Sequence, residues 1–193
     1  MTDYRSHVTF DQAFTVRQCE RIVALGDALQ VDTAELSGVE VPDDGLRRSR
    51  VAWIERSADT DWMFQKLWAL VLRANATWNF DITGFDEDLQ YTVYDEPGAF
   101  YTWHQDGLTG DVVTRKIAVV VQLSEPADYR GGDLELFDTV ADWDGEDLDG
   151  WRLRTRAQGT ATAFPAFEYH QVTPLEVGVR KSLVVWIGGP PFR

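Results

Sequence analysis

The sequence predicts a mainly β fold, an antiparallel sandwich or barrel with helices on one face. Two observations carry this. Two amphipathic helical segments come first, and after Asp81 the apolar pattern shifts from a period near 3.6 to a period near two. The second part then breaks into many short runs, the signature of a sandwich or barrel rather than of alternating strand and helix.

The elements follow in order. Thr15 and Gln18 form a capping-box pattern, and Cys19, Ile22, Val23, Gly26 and Leu29 follow at helical spacing. Phe14, just before the cap, is placed to staple the entry, and Cys19 reads as a small buried hydrophobe. A short strand is expected near Val51–Glu55. The second helix is the clearest: Phe64, Leu67, Trp68, Val71 and Leu72 form a core stripe that ends where Asn75 takes the next position. Strands are expected near Leu89–Tyr94, Phe100–Trp103, Lys116–Leu123, Asp133–Phe137, Trp151–Thr155, Thr160–Phe164 and Ser182–Ile187. Gly131-Gly132 reads as a tight turn before a strand. The acidic stretch Asp138–Gly150 reads as a solvated loop, a candidate lid. Counted from Asp142 it lacks the glycine and final glutamate of a calcium loop, since Asp147 and Leu153 stand there.

Composition narrows the function. The 193 residues suit one domain, and 44% hydrophobic with 26% charged residues is ordinary for a globular protein. A net charge of −14 disfavours a polyanion as partner, so no nucleic acid is expected. No run approaches the ~18–20 apolar residues that span a bilayer. The N-terminus lacks a signal-peptide layout, so no membrane and a cytoplasmic location are expected. A single cysteine, Cys19, excludes an internal disulfide and a multi-cysteine zinc site.

Any imidazole-rich metal site must draw on three histidines, His7, His104 and His170. His7 lies among polar residues and reads as exposed. His104-Gln105-Asp106 places two ligand types at i and i+2, on one face of an extended segment. With His170, two imidazoles and a carboxylate make a facial set that leaves metal positions open, the arrangement suited to Fe(II) enzymes that bind a cosubstrate and O₂ together. Arg180, ten residues after His170, shares a strand face with Ser182, Val184 and Trp186. An inward arginine on an apolar strand requires an anion, and its fork matches a carboxylate; an internal ion pair is the competing reading.

Three stretches carry a resemblance: Tyr94 to Asp106 (YDEPGAFYTWHQD), Tyr129 to Leu134 (YRGGDL) and Tyr169 to Trp186, with the Cys19-Glu20-Arg21-Ile22 run as a fourth. The chain resembles the prolyl 4-hydroxylase-like, PKHD-type branch of the Fe(II)/2-oxoglutarate oxygenases. That resemblance implies a double-stranded β-helix, a cupin-like jelly roll, as one domain over 1–193. A helical support region would fill 1–80 and the jelly-roll core 81–193. It implies iron on His104, Asp106 and His170, and the distal carboxylate of 2-oxoglutarate on Arg180. Tyr94 matches a tyrosine that bonds the cosubstrate. Gln122 stands near a position where some relatives have a tyrosine, and Ser182 is a further candidate donor. Trp103 and Trp186 are candidate substrate contacts, and Tyr101 is either core or support for the ligands.

The chemistry implied is hydroxylation of an sp³ carbon, with 2-oxoglutarate decarboxylated to succinate and CO₂. The cofactors are Fe(II), 2-oxoglutarate and O₂, with L-ascorbate as an optional auxiliary. Asp106 favours hydroxylation over halogenation, because related halogenases replace the carboxylate. A prolyl, peptidyl or amino-acid substrate is expected, with a small-molecule natural product as the alternative. A non-catalytic metal-binding jelly-roll module is the rival from another class.

Overall fold

A computed structural model describes residues 4–29, 32–33, 45–107, 110–140 and 147–192. In chain order the elements begin β1 (Val8–Phe10), α1 (Val16–Ala28), β2 (Asp32–Thr33), β3 (Arg47–Arg48), β4 (Arg50–Ile54) and α2 (Asp61–Trp78). Then come β5 (Gly84–Phe85), β6 (Leu89–Tyr94), β7 (Phe100–His104), β8 (Arg115–Gln122), β9 (Tyr129–Gly131) and β10 (Leu134–Leu136). The chain continues through α3 (Phe137–Val140), α4 (Leu148–Arg156), β11 (Ala161–Pro165), β12 (His170–Val172), β13 (Leu175–Gly178) and β14 (Arg180–Gly188).

Among the described residues, an eight-stranded sheet runs β1-β11-β8-β14-β6-β4-β2, with β5 also paired to β14. A four-stranded sheet runs β10-β12-β7-β3, and β13 pairs with β9. All pairs are antiparallel. This is the jelly roll with supporting helices that the resemblance implies.

The large sheet separates two environments. Leu89, Tyr91 and Val93 of β6, Ile117, Val119 and Val121 of β8, and Leu183, Val185 and Ile187 of β14 project from one face. They pack with Cys19 and Ile22 of α1 and Phe64, Leu67 and Val71 of α2. Full burial of each such aliphatic side chain stabilises by about 1.5–3 kcal/mol. The intervening residues, among them Thr92, Tyr94, Val120, Arg180, Ser182 and Trp186, face the other way. Stability thus comes mainly from the helix-covered face, and the inner face is free to carry polar groups.

The helices form for the expected local reasons. Thr15 caps α1, accepting from the Gln18 backbone while the Gln18 side chain accepts from the Thr15 N–H. Cys19 is fully buried, and burial pushes its thiol up to about 11, consistent with an inert core residue. The α2 stripe buries Met63, Leu70 and Ala74 besides Phe64, Leu67 and Val71, while Leu72 stays half exposed. The helix passes Asn75 and ends at Trp78. The Asn75 amide bonds both the N–H and the carbonyl of Phe80 at 2.9 Å, and Asn79 closes the turn at φ 55°.

Several expectations need correction. Trp151–Thr155 is not a strand but part of α4. The W-R-L-R-T alternation suggests period two, yet Asp147 caps a helix by accepting from Gly150 N. Trp151 and Thr155, one turn apart, are buried while Leu153 is 76% exposed, which only a helix allows. The stretch Asp138–Gly150 is not loop at its ends, which are helical in α3 and α4; residues 141–146 lie outside the described residues. The 1–80 region is more than helical support, because β1, β2 and β4 extend the large sheet and β3 extends the small one. His7 is not simply exposed; its ring meets the Trp151 ring edge-on at 4.6 Å. Among the described residues no helix is long and apolar enough to cross a membrane.

Candidate metal centre and active site

Strand register assembles the centre. His170 on β12 is the Cα partner of His104 on β7. β7 ends at His104, so Asp106 sits on a bend rather than on an extended strand, held by a 2.8 Å bond from its N–H to the Ala166 carbonyl. Gly107 follows because a Cβ there would lie 2.7 Å from the Arg115 carbonyl oxygen. The result brings one ligand atom from each of His104, Asp106 and His170 within 4.8 Å of one another.

Hydrogen bonds fix which nitrogen faces inward. His104 Nδ1 lies 2.8 Å from the Thr102 carbonyl and His170 Nδ1 lies 3.0 Å from the Glu168 carbonyl. A carbonyl only accepts, so each Nδ1 carries the proton and each Nε2 is left with its lone pair for a metal. Those Nε2 atoms stand 3.6 Å from the two oxygens of Asp106. Burial, aided by the neighbouring His104, lowers His170 to about 4, so the ring is neutral, the ligand form. Burial alone would raise Asp106, but His170 and His104 outweigh it and hold the carboxyl well below its usual range.

The same pocket continues to a cation. One wall is the inner face of the large sheet, where Arg180, Ser182, Val184 and Trp186 of β14 stand beside Gln90, Thr92 and Tyr94 of the paired β6. Arg180 is 2% exposed and its Nη1 is buried without a hydrogen-bond partner among the described residues. Its guanidinium lies 5.3 Å from the Tyr94 ring and near the buried Tyr129. Asp106 Oδ2 is likewise buried without a hydrogen-bond partner, with His170 Nε2 at 3.6 Å. A buried guanidinium nitrogen and a buried carboxylate oxygen, neither with a hydrogen-bond partner, in one pocket beside two imidazole Nε2 atoms, fit a metal at the triad and an anion at Arg180.

The pocket thus brings together His104, Asp106, His170, Arg180, Tyr94, Ser182 and Trp186. Gln122 sits across from Ser182 in register, but its amide turns to the Ser124 carbonyl at 3.3 Å. Trp103 falls outside the pocket lining, its ring edge-on to Phe137 at 6.0 Å. Tyr101 lines the pocket and stacks on His104 at 3.4 Å, and burial pushes its hydroxyl up to about 12.

The lining residues that were not anticipated include Arg47, Trp53 and Arg115. Arg47 lies 4.7 Å over the Tyr101 ring, and Trp53 faces Trp186 at 6.2 Å. Nothing local in the sequence marks the first two. Arg115 does have a signal, a charged residue opening a fully buried strand, the same feature that singled out Arg180.

Fold and site together define a jelly-roll protein whose H-x-D…H cluster could hold a metal ion. The pattern of the 2OG-Fe(II) oxygenase superfamily matches residues 89–188, and the chain belongs to that superfamily. A PKHD-type hydroxylase from Caulobacter sp. (strain K31) is 35% identical over 83 residues, 43% of this chain and 33% of that protein. The chain therefore spans about a third of the length of that curated relative. Among solved structures, a Pseudomonas putida prolyl-4-hydroxylase superposes with a TM-score of 0.70 at 22% identity, covering 96% of this chain and 93% of that one. A Trichoplax adhaerens prolyl hydroxylase, in complex with a hypoxia inducible factor oxygen degradation domain peptide fragment, also gives 0.70 at 17% identity, covering 95% and 83%. These likenesses show the fold, the double-stranded β-helix.

Proposed function

We propose that the chain is a hydroxylase that uses Fe(II), 2-oxoglutarate and O₂ to oxidise an sp³ carbon of a prolyl, peptidyl or amino-acid substrate. The observation that carries it is the pair of unsatisfied buried groups, Asp106 Oδ2 and Arg180 Nη1, in one pocket with the two imidazole Nε2 atoms. When bound, iron and 2-oxoglutarate supply the O₂ activation that yields succinate, CO₂ and a hydroxylated carbon. His104, Asp106 and His170 would hold the metal through the two Nε2 atoms and the carboxylate. Arg180 neutralises the distal carboxylate of 2-oxoglutarate, with Tyr94 and Ser182 on the same wall. The buried Trp186, with the more exposed Trp53 facing it, supplies an aromatic wall that suits a compact saturated ring.

The substrate class draws on the names of the relatives and structural neighbours, one of which holds a peptide fragment. The test is coupled turnover. Protein, Fe(II), ascorbate and 2-oxoglutarate are incubated with prolyl peptides, free amino acids and methylated single-stranded DNA, following succinate and product mass. Succinate with a peptide or amino acid heavier by one oxygen is expected. Efficient demethylation of the DNA, with neither peptide nor amino acid hydroxylated, would overturn the substrate class. Absence of any succinate would overturn the activity.

A further inference from the structure

Arg115 is a buried arginine whose donors are already engaged inside the protein. Its Nε and Nη2 donate to the two Glu87 oxygens at 2.6 and 2.5 Å, a bidentate pair. Its Nη1 donates to the Asp106 backbone carbonyl at 3.3 Å. Its guanidinium lies 3.8 Å over the Trp186 ring. Trp186 lines the same pocket as Asp106, and its indole N–H is buried without a hydrogen-bond partner among the described residues. One guanidinium therefore touches both the main chain that carries the carboxylate and an aromatic ring that lines the same pocket.

The rest of the Asp106 peptide is held just as closely. The N–H groups of Asp106 and Gly107 both donate to the Ala166 carbonyl, at 2.8 and 3.1 Å. Asp106 lies on a bend past the end of β7, where no ladder bonds fix it. Without Arg115, the Asp106 carbonyl would lose the one donor that the described residues give it, and Trp186 would lose the plane against which it rests. Nor does Arg115 offer a free fork to an incoming anion, in contrast to Arg180, whose Nη1 is unpaired.

We infer that Arg115, oriented by Glu87, is a positioning residue that sets the Asp106 carboxylate for the metal by clamping its carbonyl and the Trp186 ring. This deepens the proposed metal site and rests on that reading. Groups that orient a metal ligand typically change metal affinity by about 10–100-fold when removed. Lysine at this position can reach one acceptor but can neither fork nor stack in the same way.

The experiment measures Mn(II) binding to the full chain by electron paramagnetic resonance, for wild type, Arg115→Met, Arg115→Lys and Glu87→Gln. Circular dichroism and metal-free melting are followed alongside. Arg115→Met is expected to bind Mn(II) roughly 10–100-fold more weakly. Arg115→Lys should recover part of this, and Glu87→Gln should fall between Arg115→Met and wild type. The spectrum of bound Mn(II) should broaden as the carboxylate loses its fixed orientation, a change that a purely structural role would not produce. Wild-type affinity in a folded Arg115→Met overturns the clamp. If Arg115→Met does not fold, unchanged affinity in Glu87→Gln overturns it. Wild-type protein that binds no Mn(II) overturns the metal site itself, and the clamp with it.

Discussion

His104 and His170 face each other across the β7–β12 pair, Cα to Cα in register, with ring centroids 4.1 Å apart. Two protonated imidazoles at that distance would repel, and burial makes the charge still more costly. Burial, with His104 alongside, therefore keeps His170 neutral, and both Nδ1 atoms face main-chain carbonyls, those of Thr102 and Glu168. His104→Ala and His170→Ala are each expected to keep the circular dichroism of the β fold and to lose on the order of 100-fold or more in metal affinity. Metal content after anaerobic loading is the measurement. A variant that still binds Fe(II) like wild type would remove that histidine from the ligand set.

Arg180 should decide cosubstrate affinity. A buried guanidinium with an unpaired Nη1 is costly until an anion arrives, and truncating one partner of such a pair costs about 2–5 kcal/mol. Arg180→Ala should therefore raise the apparent KM for 2-oxoglutarate at least roughly 30-fold. Arg180→Lys should recover only part, because an ammonium lacks the planar fork. An unchanged KM in Arg180→Ala would make Arg180 a structural residue.

Much of this was legible because two periodicities announce themselves. The apolar and polar residues of Leu89–Tyr94 alternate, and β6 has those bounds; Phe64, Leu67 and Val71 repeat every three to four residues, and α2 buries them. The metal site was legible because only three histidines exist and one stands in H-x-D. Three-residue strands such as β9 and β12 are too short to show a period, so they went unread. Trp151–Thr155 misled because Leu153 completes an alternation that the cap at Asp147 overrides. Arg115 was missed because its partners, Glu87 and Trp186, lie 28 and 71 positions away in the chain and meet only in the fold.

Gly26 marks a close approach between α1 and the large sheet. A Cβ there would fall 2.4 Å from the Tyr91 ring, in a fully buried setting. In an exposed helix, alanine in place of glycine stabilises by up to about 1 kcal/mol. Here overpacking wins, and Gly26→Ala is expected to destabilise by about 1–3 kcal/mol. Urea unfolding measures it; a variant as stable as wild type would mean that α1 lifts off the sheet without cost.

Tyr91 also ties that helix to the sheet through charge. Its hydroxyl donates to Asp27 at 2.6 Å, and Lys181 donates to the same carboxylate at 2.7 and 2.9 Å. Partial burial pushes Asp27 upward, but the bonds from Lys181 and Tyr91 outweigh it, so its carboxyl sits below its ordinary value. The sign follows from linkage. A carboxyl lowered in the folded state binds fewer protons there than when unfolded, so its contribution is present above the unfolded value of about 3.9. That contribution fades as pH falls through the folded value. The Asp27 side chain is 45% exposed, so solvent screens the ion pair and the effect is small. Asp27→Asn should melt below wild type at pH 7, and the gap should close as the pH is taken down towards 3. Melting curves at several pH values are the measurement. A gap that stays constant with pH would show that the tie is a neutral hydrogen bond to Tyr91 and that the carboxylate charge contributes nothing.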